Sequence, residues 1–154
     1  MKSLLLSFLA LLAISTTLFS QEKIRKIQFN LSKNNVAIAG YDPVAYFVSN
    51  KAIKGSESIK VYAEGVVYYF SSPANKNLFL NNYEKYEPQY GGWCAYAMGA
   101  TNDKVEIDPE TFKIVNGKLY LFYHSWVNNT LTKWNKDEVS LKAKADNSWN
   151  IFFR

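Results

Sequence analysis

The chain of 154 residues holds one cysteine, one histidine, two methionines and four prolines. Each scarcity excludes something. A single thiol, Cys94, cannot close an intrachain disulfide, so the fold must be held by packing. One cysteine and one histidine cannot build a closed tetrahedral zinc site, which needs several deprotonated Cys or His ligands, unless carboxylates complete it. There is no C-x-x-C pair for a thioredoxin-like cycle and no Gly-x-Ser-x-Gly elbow, and any nucleophile–base arrangement would have to use His124. The paired glycines Gly91-Gly92 are too short a run to cradle a phosphate. Lysines and arginines outnumber acids by 18 to 13 but are scattered and form no stripe, so a nucleic-acid footprint is not evident.

What is present begins with "MKSLLLSFLALLAISTTLFSQ". Lys2, an unbroken apolar stretch and small or polar residues from Ser15 to Ser20 have the layout of a secretory signal peptide, with cleavage expected between Ser20 and Gln21. The apolar run is short for a spanning helix. No cysteine lies here to carry a lipid. An exported protein, periplasmic or secreted, is the expectation. Loss of Lys2 with residues 1–20 lowers the formal balance from +5 to +4. The remainder has no repeat, low-complexity tract or linker, so one domain is the economical reading. Aromatic residues make up 16% of the chain, enough to supply the packing that disulfides do not.

Residues 21–35 alternate only loosely at Ile24, Ile27 and Phe29, which predicts an extended lead-in or edge strand to a domain over 36–154. In "GYDPVAYF", Asp42 can cap a short helix whose first residue is Pro43, since proline there sacrifices no hydrogen bond. "SIKVYAEGVVYYFSS" alternates on both sides of Glu64-Gly65, predicting a hairpin, and Ser72-Pro73 then starts a helix. "YGGWCAYAMG" reads as a tight turn at Gly91 and Gly92 entering a short apolar helical segment, with Cys94 and Met98 one turn apart. A second hairpin is marked by Asn116-Gly117 between "FKIV" and "KLYLFY". Val127, Leu131, Trp134, Leu141, Ala145, Trp149 and Phe152 then recur at helical spacing, with a break expected near Asp137. The expected fold class is α+β: antiparallel hairpins packed against helices, ending in an amphipathic helix or helix pair.

Taken together, "GYDPVAYF", "KGS", "YYFSSPANKNLFLNNYEKYEPQYGGWCAYAM", "IDPETFKIVNGKLYLFY" and "KADNSW" resemble the YHS domain family, in particular its small exported members described as YHS domain-containing (seleno)proteins. The likeness covers nearly all of residues 36–149. It implies a compact α+β domain and, from relatives found beside copper-transporting pumps and multicomponent oxygenases, metal binding. In metal-associated relatives cysteines follow the Asp-Pro-Val motif and open the helix after the hairpin. This chain has Ala45 in the first place and Ser71, Ser72 and Asn75 in the second. The literal Tyr123-His124-Ser125 is a three-residue coincidence rather than the motif behind the family name.

Three readings of the chemistry stay open. Cys94, Met98 and His124 are soft or borderline ligands that together would suit a copper ion, Cu(I) in particular. Alternatively, Cys94 at a helix start is a redox thiol, its pKa lowered by the helix. A third reading takes the aromatics Tyr41, Tyr46, Tyr90, Trp93 and Tyr96 as lining for a small-ligand pocket. Against each stands a structural alternative in which these residues fill the core or its perimeter, and the carboxylates Asp42 and Asp108, each followed by proline, are caps. The reading adopted is a non-enzymatic binding protein, with a small ligand, a metal ion or a protein as partner.

Overall fold

A computed structural model describes residues 21–152. The expected signal peptide lies outside that range. Residues 21–28 are helical (α1), followed by short strands β1 (Leu31–Ser32) and β2 (Val36–Ala37) and a one-turn helix α2 (Ala45–Val48). Strands β3 (Ser56–Ala63) and β4 (Val66–Phe70) form the first hairpin; helices α3 (Pro73–Asn81) and α4 (Tyr83–Tyr86) follow. After α5 (Ala95–Ala100) comes the second hairpin, β5 (Asp108–Val115) and β6 (Lys118–Phe122). A miniature hairpin, β7 (His124–Ser125) with β8 (Asn128–Asn129), then leads into α6 (Thr130–Trp134) and α7 (Glu138–Phe152).

The expected α+β class, the two hairpins and the C-terminal helix pair are all present. Both hairpins close on two residues in the left-handed region: Glu64 and Gly65 at φ 45° and 88°, Asn116 and Gly117 at 51° and 71°. This twist matches that of the flanking strands. The first sheet runs β1-β2-β4-β3, antiparallel except where β2 lies parallel to β4 through Val36 and Val67. Ser72 caps α3 by accepting from the Asn75 N–H at 3.1 Å, with Pro73 in the first turn. The C-terminal stripe breaks at 135–137, between α6 and α7.

Two cores share one strand. Leu119 and Leu121 of β6 join Tyr46, Val66, Tyr68, Phe70, Phe79 and Tyr86, whereas Tyr120 and Phe122 join Tyr90, Met98, Trp134, Leu141 and Ala145. Alternation sends successive side chains to opposite faces, so an unbroken apolar run is what a strand covered on both faces requires. Phe79 illustrates the first core: its ring lies 4.7 Å from that of Tyr68 and 5.1 Å from that of Phe70, and its full burial contributes roughly 1.5–3 kcal/mol. In the second, Gly99 lets α5 and α7 touch. A β-carbon there would stand 2.3 Å from the Leu141 carbonyl oxygen.

The structure corrects four expectations. Residues 21–28 are helical rather than extended, because the face turned inward carries Arg25 while Ile27 points to solvent, so no apolar period betrays the helix. Only Leu31–Ser32 forms the anticipated edge strand. Pro43 lies in a turn ahead of α2 rather than within it: Asp42 Oδ1 accepts from the N–H groups of Val44 and of Ala45, the first residue of α2, at 2.9 and 3.3 Å. Asp108 and Pro109 belong to β5 beside an irregularity in its register, with Asp108 accepting from the Glu110 N–H and the Thr111 hydroxyl. Val127, placed in the helical stripe, sits at the tip of the β7–β8 turn and is 90% exposed.

Candidate functional site

The "YGGW" turn draws three distant segments together. Tyr90 and Gly91 both adopt left-handed dihedrals, φ 55° and 60°. For tyrosine that conformation is uncommon, and it persists only where surrounding contacts hold it. Those contacts are visible. The Tyr90 hydroxyl donates to Asp146 Oδ1 at 2.9 Å, the Asn30 N–H donates to the Gly91 carbonyl at 2.9 Å, and the Trp93 indole N–H donates to the Gln28 carbonyl at 2.7 Å. Gly91 also has no room for a side chain: a β-carbon would lie 2.7 Å from Trp149 and 2.8 Å from Phe29.

Around this turn opens a cleft of about 540 Å³. Arg25 and Phe29 line it from the N-terminal side, Glu84 and Glu87 from α4 and its end, Lys118 from β6, and Asp146 and Trp149 from α7. The Phe29 and Trp149 rings are 5.9 Å apart at 50°. Arg25 holds Glu87 with both terminal nitrogens, donates Nε–H to the Glu64 carbonyl at 3.1 Å and lies 4.5 Å from the Phe29 ring centre. Glu87 also accepts from the Tyr68 hydroxyl.

Burial works against the charge on Arg25, but the hydrogen bonds and charge of Glu87 outweigh it and hold the guanidinium above its ordinary pKa. Burial, followed by the charge of Glu87, pushes the Tyr68 phenol well up. Tyr90 is likewise raised, by burial and then by its bond to Asp146. Lys142 pairs with the other oxygen of Asp146. By contrast, Lys118 and Glu84 on the rim are exposed and make no ion pair among the described residues.

The residues singled out in the sequence scatter over several environments. Cys94 precedes α5 and is fully buried; its sulfur accepts from the Tyr123 N–H at 3.3 Å and lies 3.4 Å from the Thr130 hydroxyl. Met98 is fully buried in the second core, and its N–H donates to the Cys94 carbonyl. His124 follows Tyr123 directly, yet its imidazole turns elsewhere: Nδ1 is 3.2 Å from the Thr111 hydroxyl and 3.3 Å from Asp108 Oδ2, with the side chain 44% exposed. Among the described residues, no group of three or more His, Cys, Asp and Glu side chains is placed to hold a metal ion. The Cys94 sulfur and the His124 imidazole thus have different hydrogen-bonding partners.

The aromatics divide in the same way. Tyr46 is fully buried, donating to the Pro109 carbonyl at 2.8 Å with its ring on Phe112. Tyr41 lies against Lys54, Trp93 against Lys104, and Tyr96 near Lys133. Only Tyr90 of the five lines the cleft. Arg25, Glu87, Lys118, Asp146 and Trp149 were not legible as a site, since they are spread over 125 positions and no local pattern links them.

One further cluster involves the first motif. Asp42 is fully buried, and its Oδ2 accepts from the Ser71 N–H at 2.8 Å, the Ser71 hydroxyl at 2.6 Å and the Asn75 side-chain amide at 2.7 Å. With Val44 and Ala45 on Oδ1, five donors surround one carboxylate. Compared with known proteins, the chain matches no family model, no curated protein and no solved structure.

Proposed function

We propose that this chain is an exported, non-enzymatic binding module of the YHS type, whose ligand is a small polar molecule with a planar apolar part, seated in the cleft beside Tyr90. The observation that carries this reading is the cleft itself. It is concave and held by a strained turn, with two aromatic rings at one side and two charges of opposite sign on its rim, Lys118 and Glu84, that make no ion pair among the described residues. Such a set favours a ligand that stacks on a ring and offers a carboxylate to lysine or an amine to glutamate.

The groups lining the cleft favour binding over proton chemistry. A general acid or base works best with a pKa near the operating pH, and both Arg25 and Tyr90 are pushed further from neutrality by their surroundings. The Asp42 cluster bears on the metal reading that the resemblance implies. Ser71 and Asn75, two of the positions the resemblance likens to cysteine ligands, are committed to a carboxylate instead.

Ligand-observed NMR against a panel of free amino acids and small aromatic carboxylates tests this. We expect saturation transfer to members that carry both a ring and a charge, reduced about tenfold in apparent affinity by Lys118→Ala or Trp149→Ala. The proposal fails if no member of the panel shows transfer, or if both variants bind as the parent does.

A further inference from the structure

The two-residue turn joining β7 to β8 consists of Trp126 and Val127, 101% and 90% exposed. Exposed tryptophan at a tight turn is costly to keep in water, since the indole offers a large apolar area with a single polar N–H. The turn is not a loose end. His124 pairs with Asn129 and Ser125 with Asn128 in the strand ladder, Asn129 caps α6 by accepting from the Leu131 N–H at 3.0 Å, and the Thr130 hydroxyl donates to the Tyr123 carbonyl at 2.7 Å. A short braced hairpin thus projects two apolar side chains.

Residues 111–136 contain four lysines and no aspartate or glutamate, with Glu110 before them and Asp137 after; Lys113 pairs with Glu138 and Lys118 lines the cleft. Lys133 and Lys136, just after the hairpin, make no ion pair among the described residues. The acid that faces the base of the hairpin, Asp108, is occupied by the Glu110 N–H, the Thr111 hydroxyl and His124.

From this juxtaposition we propose that the Trp126–Val127 tip is an interfacial anchor that inserts into the headgroup region of an anionic lipid bilayer, with Lys133 and Lys136 lying over the lipid phosphates. A protein partner is the weaker fit. A stable protein interface buries on the order of 1,000 Å² or more across a broad patch, whereas the tip presents two side chains on a protrusion. Such a protrusion needs no complementary pocket in a fluid interface, where tryptophan is favoured and each nearby lysine adds attraction to anionic lipid. This anchor does not depend on the cleft having a ligand.

The test is vesicle co-sedimentation of the chain from Gln21 onward, which contains the whole described fold, with phosphatidylcholine vesicles and with vesicles in which roughly a third of the lipid is phosphatidylglycerol. Binding to the anionic vesicles is expected, with a blue shift of tryptophan emission. Trp126→Ala should weaken it about tenfold or more and abolish the shift, and the double variant Lys133→Ala/Lys136→Ala should weaken it about tenfold at low salt. Both changes are at the surface, and an unchanged far-UV dichroism spectrum confirms the fold. The inference is overturned if the parent does not bind anionic vesicles, or if Trp126→Ala binds as the parent does. It is equally overturned if light scattering shows the parent to be a dimer that Trp126→Ala dissociates, which would assign the tip to a second copy of the chain.

Discussion

Replacing Asp42 by asparagine changes one atom in a site where five donors converge, and this makes the cost calculable. Two N–H groups face Oδ1 and three donors face Oδ2. Whichever way an asparagine amide is turned, its NH₂ group meets at least two donors. A buried donor left without an acceptor costs about 1–3 kcal/mol. The Ser71 side is exposed, so water offsets part of the loss there, and we expect Asp42→Asn to cost about 2–4 kcal/mol. Against a total stability of about 5–15 kcal/mol this is a large fraction. At roughly 2–4 °C per kcal/mol for a domain of this size, the midpoint should fall by about 5–15 °C. Thermal melts followed by circular dichroism, with urea titrations alongside, measure it. Ser71→Ala is the control: it removes one hydroxyl donor at a wet edge and should cost about 1 kcal/mol or less. A value for Asp42→Asn within about 0.5 kcal/mol of the parent would refute the reasoning, as would a Ser71→Ala cost of equal size.

Gly99→Ala should destabilise by about 1–3 kcal/mol or more, because the new methyl group meets the Leu141 backbone rather than a side chain that can swing away; denaturant midpoints report it, and a neutral result would contradict the close approach of α5 and α7. Glu138 accepts from Lys113 at 2.7 Å and from the Trp134 indole at 3.1 Å, and the bond to Lys113 is the main reason its pKa is lowered. A lowered folded-state pKa contributes stability above the unfolded value and loses it as pH falls through the folded one. Glu138→Gln should therefore cost up to about 1 kcal/mol near neutrality, with the difference from the parent vanishing under acid conditions; a gap that persists at pH 2 would count against it. Cys94 should resist iodoacetamide in the native protein and react fully once unfolded, since its sulfur is buried. Fast native labelling would instead favour the redox reading of Cys94.

Legibility followed the kind of interaction each residue makes. Hairpins at Glu64-Gly65 and Asn116-Gly117 and the Ser72-Pro73 helix start were readable, because turn chemistry and caps act within a few residues. Helix α1 was not, since its buried residue is Arg25 and a search for apolar periods passes over a guanidinium satisfied by Glu87, 62 positions away. Val127 fits the helical spacing of its successors and yet lies in a hairpin, because period alone does not say where a helix begins. The cleft shares only Tyr90 with the residues chosen for their chemistry.

Residue types and short spacings alone settled the α+β class, the two hairpins and the Ser72 cap, and excluded an intrachain disulfide or a zinc site closed by Cys and His alone. Only the tertiary structure decided which polar groups meet. It placed His124 on Asp108 and Thr111 with Cys94 in the core, brought Arg25 to Glu87 and Tyr90 to Asp146, and left Trp126 in water. The physical reason is reach: a cap or a turn is closed by its own neighbours, whereas a cleft is closed by whichever distant segments the shared strand β6 and the left-handed turn at Tyr90 bring into contact.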